Sequence, residues 1–600
     1  MAATKTHSRA TRHRRTRTSQ TQAPDTKRFS EDADWFRMMM GYALDITEGR
    51  KLANRYEILA CQRFIDDYNR QKTDADYPFR FDFAKAWKVI SFIEKLPHVK
   101  GPLASKPGKD RLLNLCGFEL FIVANIFGWV VKKTSLRRFS IVYLRIPRKN
   151  NKSTLSAGIG LYMLCADGEA GAEVLCGATT LDQARKVYDP AKQMVRNTPA
   201  LREAYKLEAK EQFIRRPDGS QMQPLIGDPG DGGNPSCAIV DEYHEHDSDT
   251  LYETMITGMV ARLQALILVI TTAGENLFSP CFAMDNMMRD ILDGVMTGMD
   301  HIFTVLYGID PEDDWTDPQM LIKANPNYGR SVNPVEVEKA RKLAVQNPGK
   351  QTAYKTKHLN IWCNEKNAYY NVLAWQNLHD PAMKLEDFDG EPCWIGLDLA
   401  KLRDLSAKLT VFVRNIGGSA HYYIFTRFYI SEAHIENNEN KTLVKLFDEW
   451  RSAGVLEVHD GNEIDFEEIK QDIIEDANRL KVEEVDGDPW GLPIISSGLA
   501  QAGIQVVQIP QHGSHLTIPV DELESAIESG RIHHDGNPVM AWCIGNVRVS
   551  EYKGGRKMPY KQDNDSKIDG ASALFNALSR CVVPEDKPDF SYFLNNPIVH

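Results

Sequence analysis

Apolar residues along the chain recur with two different periods. From Ala33 to Phe64 they fall at helical spacing, at Phe36, Met39, Tyr42, Ala43 and Ile46, then at Leu52, Tyr56, Leu59 and Ala60, with a break at Gly49. Residues 80–96 continue helical, and Pro97–Asp110, with Gly101, Pro102, Pro107 and Gly108, reads as a boundary loop. From 111 to about 275 the pattern alternates: a helix over 112–128, a strand over 139–146, a helix from Ser153, a strand over 172–178, a helix through 182–195, and strands over 236–241 and 265–271. That alternation predicts a mostly parallel sheet with helices on both faces. Residues 276–385 mix helix with Pro-, Asn- and Trp-bearing loops. A second strand-rich block begins at Pro392, with strands over 393–400, 407–415 and 420–430 that predict an antiparallel meander. It continues with strands over 482–488 and 504–510 and a helix around Ile568–Ser579.

Length and composition narrow this picture. At 600 residues the chain is long for one core and predicts two domains with appendages. The ten cysteines are scattered singly with no C-x-x-C pair, which argues for a reducing compartment and against a zinc ribbon or disulfide framework. The apolar run Leu112–Val131 is interrupted by Asn114, Glu119 and Asn125, so it reads as a buried helix and no membrane span is expected. A net charge of −10 offers no global attraction to nucleic acid, leaving local basic patches to make any such contact. One patch is the N-terminal arm: residues 1–28 carry Lys5, Arg9, Arg12, Arg14, Arg15, Arg17, Lys27 and Arg28 against Asp25 alone, and read as a disordered basic arm. The domains expected are the arm (1–30), a helical N-terminal region (31–110), a nucleotide-binding domain (111–385), a second α/β domain (386–582) and a tail (583–600).

The strand at 141–145 runs into Ile146-Pro147-Arg148-Lys149-Asn150-Asn151-Lys152-Ser153-Thr154. A phosphate loop reads G-x-x-x-x-G-K-[ST]; here Lys152 and Ser153 are in place, while Ile146 and Asn151 occupy the glycine positions. Asparagine is the non-glycine residue best able to take a left-handed backbone. Downstream, an apolar strand ends in Asp241-Glu242, a carboxylate to sit beside Mg²⁺ and a carboxylate to orient the attacking water. A third strand ends in Thr271-Thr272-Ala273-Gly274, whose hydroxyls suit a sensor of γ-phosphate occupancy. All three lie at predicted strand carboxyl ends, where open α/β sheets hold ligands. His244, Glu245, His246, Asp247 and Asp249 read as a polar loop. Arg185, Arg215, Arg216 and Arg262 are candidates for a charge-stabilising arginine.

The second domain has its own acids. Asp398 lies in the apolar strand Trp394–Ala400, where an unpaired carboxylate is costly. Asp404 follows, Asp488 ends a later strand, and Asp569 heads a helix. Carboxylates on separate elements can converge on two divalent ions that activate water and stabilise a leaving oxygen, and hard Mg²⁺ or Mn²⁺ favours such ligands. Asp486, Asp535 and Asp565 read as ordinary turn and cap acids. The arrangement matches an RNase H-like nuclease.

Taken together, Pro147–Ser153, Ile239-Val240-Asp241-Glu242, Ile270–Gly274, Lys323-Ala324-Asn325-Pro326, Leu359-Asn360-Ile361-Trp362, Gly396-Leu397-Asp398-Leu399 with Asp404, Asp488-Pro489-Trp490 and Lys567-Ile568-Asp569 resemble the large terminase subunit of tailed double-stranded DNA bacteriophages, over roughly residues 40–585. The resemblance implies a P-loop ATPase domain followed by an RNase H-like nuclease domain. By it, Arg148, Lys149, Asn150, Asn151, Lys152, Ser153, Thr154 and Asp241 bind nucleotide and Mg²⁺, Glu242 is the catalytic carboxylate, and Thr271 and Thr272 couple hydrolysis to DNA movement. Asp398, Asp404, Asp488 and Asp569 carry the Mg²⁺ or Mn²⁺ ions of the nuclease. It further implies ATP as fuel, double-stranded DNA as cargo, a small terminase subunit and the procapsid portal as partners, a docked homo-oligomeric ring (a pentamer), and action in the host cytoplasm rather than in the mature virion. The chain departs from the family's pattern at Asn151, usually glycine, and at Phe118-Glu119, where many members have Trp-Gln. Two other readings stand beside this one: a nuclease whose ATPase is inactive because Asn151 distorts the loop, and a non-catalytic DNA-binding scaffold.

Overall fold

The structure, a computed structural model, describes residues 26–226, 233–363, 368–400, 404–552, 554–562 and 565–582. Most of the basic arm and the tail from 583 lie outside these residues. Four helices come first: α1 (Asp34–Thr47), α2 (Arg55–Thr73), α3 (Phe83–Ile93) and α4 (Gly117–Gly128). The helix expected from 112 starts five residues later. Leu113 instead donates its N–H to the Leu96 carbonyl, and Cys116 and Glu119 form the capping box that starts α4. The boundary loop at 97–110 does not divide the core. Phe36, Phe64, Val89 and Phe121 share one apolar cluster with Val142 and Ile239 of the sheet beneath and with Ile159 of the helix that follows Val142's strand.

That sheet is built from β1 (Ile141–Arg145), β2 (Glu173–Ala178), β3 (Gln221–Ile226), β4 (Cys237–Asp241), β5 (Leu266–Thr271) and β6 (Ile302–Leu306) in the order β6-β1-β5-β4-β2-β3. All five of these pairings are parallel. Two short strands, Ile214–Arg215 and Glu208–Ala209, extend the β3 edge antiparallel. β1, β4 and β5 are fully or almost fully buried runs of β-branched and aliphatic residues, as strands covered on both faces must be. The crossover helices α5 (Lys152–Cys165) and α6 (Leu181–Arg196) follow β1 and β2. Helix α7 (Pro280–Leu292) packs the other side through Cys281, Met284 and Met288.

The second sheet comprises β7 (Pro392–Asp398), β8 (Ser406–Ile416), β9 (Ser419–Ser431), β10 (Glu457–His459), β11 (Lys481–Gly487) and β12 (Val506–Gln508), ordered β10-β9-β8-β7-β11-β12, and a short strand Ile532–His534 that pairs in parallel with β9. β7, β8 and β9 form the antiparallel meander, and β11 joins β7 in parallel. Helix α8 (Asp569–Cys581) lies on β7 at Gly396, where an added Cβ would stand 2.0 Å from the Ala573 carbonyl oxygen; only glycine allows that approach. Residues 369–379 pack on this second half. Tyr369 donates its N–H to the Val547 carbonyl, Tyr370 its hydroxyl to Val520, and Trp375 stacks on His534 at 4.5 Å. Among the described residues no helix is long and apolar enough to cross a membrane.

Candidate active sites

The carboxyl ends of β1, β4 and β5 bring the first set of predicted residues together. After Arg145, whose guanidinium is buried against Asp285 at 2.6 Å, the chain turns through 146–151 into α5. Lys149 (φ 70°) and Asn151 (φ 64°) take left-handed conformations. Asn151 therefore stands in the glycine position with the geometry that position demands. Asn150 is buried and fixes the loop from below: its Nδ2 donates to Asn325 Oδ1 (2.8 Å), and its Oδ1 accepts the Asn327 N–H (3.0 Å). Ser331 Oγ donates to the Lys149 carbonyl at 2.5 Å. The Lys323–Pro326 motif is thus the clamp under the phosphate loop. Asn151 Nδ2 donates to Glu119 Oε1 at 2.8 Å, and Glu119 Oε2 accepts the Cys116 N–H at 3.0 Å. The two positions that depart from the family's pattern are bonded to one another.

Lys152 opens α5 and donates its Nζ to Glu242 Oε2 at 3.1 Å. Burial alone would raise the Glu242 carboxyl, but Lys152, His244 and Arg148 outweigh it and hold it below the ordinary range. Glu242 itself sits at φ 50°, a left-handed conformation that costs a non-glycine residue energy and aims its side chain back across the strand ends. Asp241 is 1% exposed, and burial, then the neighbouring Glu242, push its carboxyl up to about 7. One of its oxygens accepts the Glu242 N–H at 3.0 Å, while Oδ2 is buried without a protein partner. A buried orphan carboxylate oxygen fits a hard divalent cation. Ser153 and Thr154 lie in the first turn of α5, with Ser153 only partly covered.

His244 carries more than a polar-loop role. Its backbone N–H donates to Thr271 Oγ1 (3.0 Å), its ring lies 3.1 Å from the same hydroxyl and 3.4 Å from Thr272 Oγ1, and Nδ1 is 3.5 Å from Glu242 Oε2. Burial pushes the imidazole down to about 4, so it is neutral near pH 7. It connects the Asp-Glu motif to the hydroxyl pair at the end of β5, and its closeness to Glu242 in the chain was the one signal available in the sequence. Thr271 also receives the loop: the Ile146 N–H donates to its carbonyl at 2.9 Å. Asn360 braces the following turn, accepting the Ala273 N–H at 2.8 Å.

The arginine candidates separate. Arg262 spends its guanidinium on the carbonyls of Ala170, Gly171 and Asn234, at the amino ends of the strands. Arg215 donates to Gln221 and Arg216 to the Leu164 carbonyl. Arg185, early in α6, lies at the carboxyl end of β2, on the same helix turn as Gln183, which bonds Glu245 of the site.

The second set also converges. Asp398 ends β7, and desolvation, then the Asp488 carboxylate, push it up to about 7, with Asp404 adding to the effect. Asp569, the first residue of α8, is pushed well above the carboxylate range by burial, then by Asp404 and Asp398. Asp488 caps its own turn: Oδ1 accepts the N–H groups of Trp490 (2.6 Å) and Gly491 (2.9 Å). Asp404 faces Lys567 Nζ at 2.6 Å and Lys561 Nζ at 2.8 Å. Four carboxylates, of which Asp398 and Asp569 are raised by burial and by their neighbours, form a donor set suited to divalent cations.

Of the three acids read as ordinary, Asp535 accepts from Thr426 and Asn537, and Asp565 accepts from Asn440. Asp486 departs from that reading. It lies inside β11, 0% exposed, with neither oxygen bonded, and burial, then Glu484, push it up to about 8. Among the described residues one tight ligand group lies elsewhere, Glu457, His459 and Glu468. There His459 Nδ1 accepts the Asp465 N–H at 2.7 Å, which leaves the ring proton on Nε2, 3.4 Å from Glu468 but without a hydrogen-bond partner. A cavity of about 740 Å³ separates the two sites, lined by His244, Gly274 and Arg148 on one side and Leu443, Trp542 and Asp565 on the other.

A parallel-sheet nucleotide-binding domain joined to an acid-centred α/β domain defines the class. Comparison with known proteins agrees: residues 117–289 match the terminase large subunit ATPase domain family, and residues 297–585 match the terminase large subunit endonuclease domain family. The chain is 42% identical over 369 residues to Protein YmfN of Escherichia coli (strain K12), covering 60% of this chain and 81% of that one. It is 24% identical over 526 residues to the terminase large subunit of Enterobacteria phage HK97, covering 85% and 99%. The crystal structure of the HK97 large terminase aligns with a TM-score of 0.44 and 22% identity over 82% of this chain and 99% of that one. The chain belongs to the large terminase subunit family. The endonuclease family match begins at 297, before β6, which pairs with β1 in the first sheet.

Proposed function

We propose that this protein is an ATP-driven motor that moves viral double-stranded DNA into a procapsid and a metal-dependent endonuclease that cuts concatemeric DNA. The observation that carries the motor half is Glu242, held ionised by Lys152 and in contact through His244 with Thr271 and Thr272. Arg148, Lys149, Asn150, Asn151, Lys152, Ser153 and Thr154 would cradle the triphosphate, with Ser153 and Asp241 holding Mg²⁺. Glu242 would orient the attacking water and leave Lys152 to the γ-phosphate once nucleotide competes for it. Loss of that ion pair would reach β5 through His244 and Thr271, which couples hydrolysis to movement. The left-handed Asn151 favours a working phosphate loop over an inactive one.

In the second domain Asp398, Asp404, Asp488 and Asp569 would hold two Mg²⁺ or Mn²⁺ ions, whose charge activates water and stabilises the leaving oxygen. Domain limits of 31–110, 111–385 and 386–582 belong to this reading, as do a small terminase subunit, the portal, a docked pentameric ring and the host cytoplasm. Separated variants test it. Glu242→Ala is expected to abolish ATP hydrolysis and spare Mn²⁺-dependent plasmid nicking, and Asp398→Ala to do the reverse. A wild-type protein that does neither, with DNA and partners supplied, would refute the proposal.

A further inference from the structure

Of the ten tryptophans, nine are buried or half-buried; Trp490 is 78% exposed. An exposed indole carried on a fixed backbone turn offers a large amphipathic ring for a contact outside the chain. The fixation is evident. Asp488 Oδ1 accepts the N–H groups of both Trp490 and Gly491, closing the turn, and Pro489 between them restricts its own φ. Gly491 lies so close to β7 that a Cβ there would stand 2.7 Å from the Leu399 carbonyl oxygen, and Leu492 is buried at 1%. The turn is therefore anchored on both sides while the indole between the anchors faces solvent. Among the described residues no aromatic ring or cation is recorded over it.

We propose that Trp490 is a base-stacking platform for DNA at the nuclease site. It rests on the nuclease reading above, because the turn that holds the indole is closed by Asp488 and packs at Gly491 against Leu399, one residue past Asp398. A strand brought to that cluster passes within two residues of the indole. Every base has a π face, so stacking on Trp490 needs no particular sequence; it needs a base that is unpaired or opened beside the cut. A preset turn costs little ordering on binding, which is what a short-lived contact with a moving strand requires.

The test uses the full chain with Trp490→Ala and Trp490→Phe, and an end-labelled duplex carrying a short unpaired bubble. Binding is followed by fluorescence anisotropy with Ca²⁺ in place of Mg²⁺. Trp490→Ala is expected to weaken binding about tenfold, with Trp490→Phe recovering most of the loss and ATP hydrolysis unchanged in both. Equal affinity of the wild type and Trp490→Ala would overturn the proposal and assign the indole to a protein contact instead. Nicking in Mn²⁺ separates the two readings. A wild type that binds through Trp490 and never cuts would fail the nuclease reading alone, and unaltered binding by Trp490→Ala in a protein that cuts would fail this one alone.

Discussion

The two acidic sites of this chain solve opposite electrostatic problems. At the nucleotide site the key carboxylate has its counter-charge built in: Glu242 faces Lys152 at 3.1 Å and is held below its ordinary range. At the proposed nuclease site Asp398 and Asp569 face other carboxylates and are pushed upward, while the nearby cations, Lys561 and Lys567, are both spent on Asp404. The first site is charge-balanced by the chain itself. The second is balanced only by something added to it, and divalent ions are the natural supplement.

Neutralising one carboxylate at each site should therefore move stability in opposite directions. Glu242→Gln strands a buried ammonium and is expected to cost about 3–5 kcal/mol at pH 7. Asp569→Asn removes a repelled charge and is expected to add about 1–2 kcal/mol to the metal-free protein while abolishing any rise in Tm on adding Mn²⁺. Calorimetry with and without the ion checks both; equal signs would break the comparison. The Asp569 gain follows a set pH course. A carboxyl raised in the folded state binds protons that the unfolded chain has released, so the native protein loses stability as pH rises from about 4, and the advantage of Asn grows with it.

Asp486 should behave as a smaller, metal-independent case. Its folded value of about 8 makes its penalty grow from about pH 4 and level off above about 8. Asp486→Asn is expected to leave Tm unchanged near pH 4 and to raise it by several degrees at pH 8, at roughly 2–4 °C per kcal/mol. A gain as large at pH 4 would place its cause in packing rather than charge.

The smallest effect tests how the nucleotide site tolerates its unusual loop. Asn151→Gly and Glu119→Gln should each slow ATP hydrolysis severalfold, and the double variant by less than the product of the two. The coupling would be of order 1 kcal/mol for one half-buried, charge-assisted hydrogen bond. Simple multiplication of the two effects would mean that the 2.8 Å contact does not set the loop's geometry.

Much of this was legible in the sequence because long, buried, β-branched strands announce themselves: 141–145, 237–241 and 266–271 sit within a residue or two of where the pattern puts them. The left-handed Asn151 was readable from residue chemistry alone. What escaped is short or non-local. β6 is five residues inside a loop-rich stretch, and β3 carries Gln221, Gln223 and Pro224, which no central strand would tolerate; beyond Met222 it has a neighbour on one side only. The links from Glu119 to Asn151 and from His244 to Thr271 span 32 and 27 residues, and no local period encodes them. Asp486 reads as a turn or cap acid although the strand expected over 482–488 already holds it; its place in the ladder opposite Gly396, under the last helix, is what buries it, and no local period encodes that.

The stacking of Trp375 on His534 has a consequence for anyone who would express the two halves as separate genes. A cut after residue 385 would leave Tyr370 and Trp375 on the ATPase half, torn from Val520 and His534, with their apolar faces bare. A cut between Cys363 and Ala368 would send that wedge with the nuclease, so the half carrying Asp398 would leave with its own lid in place.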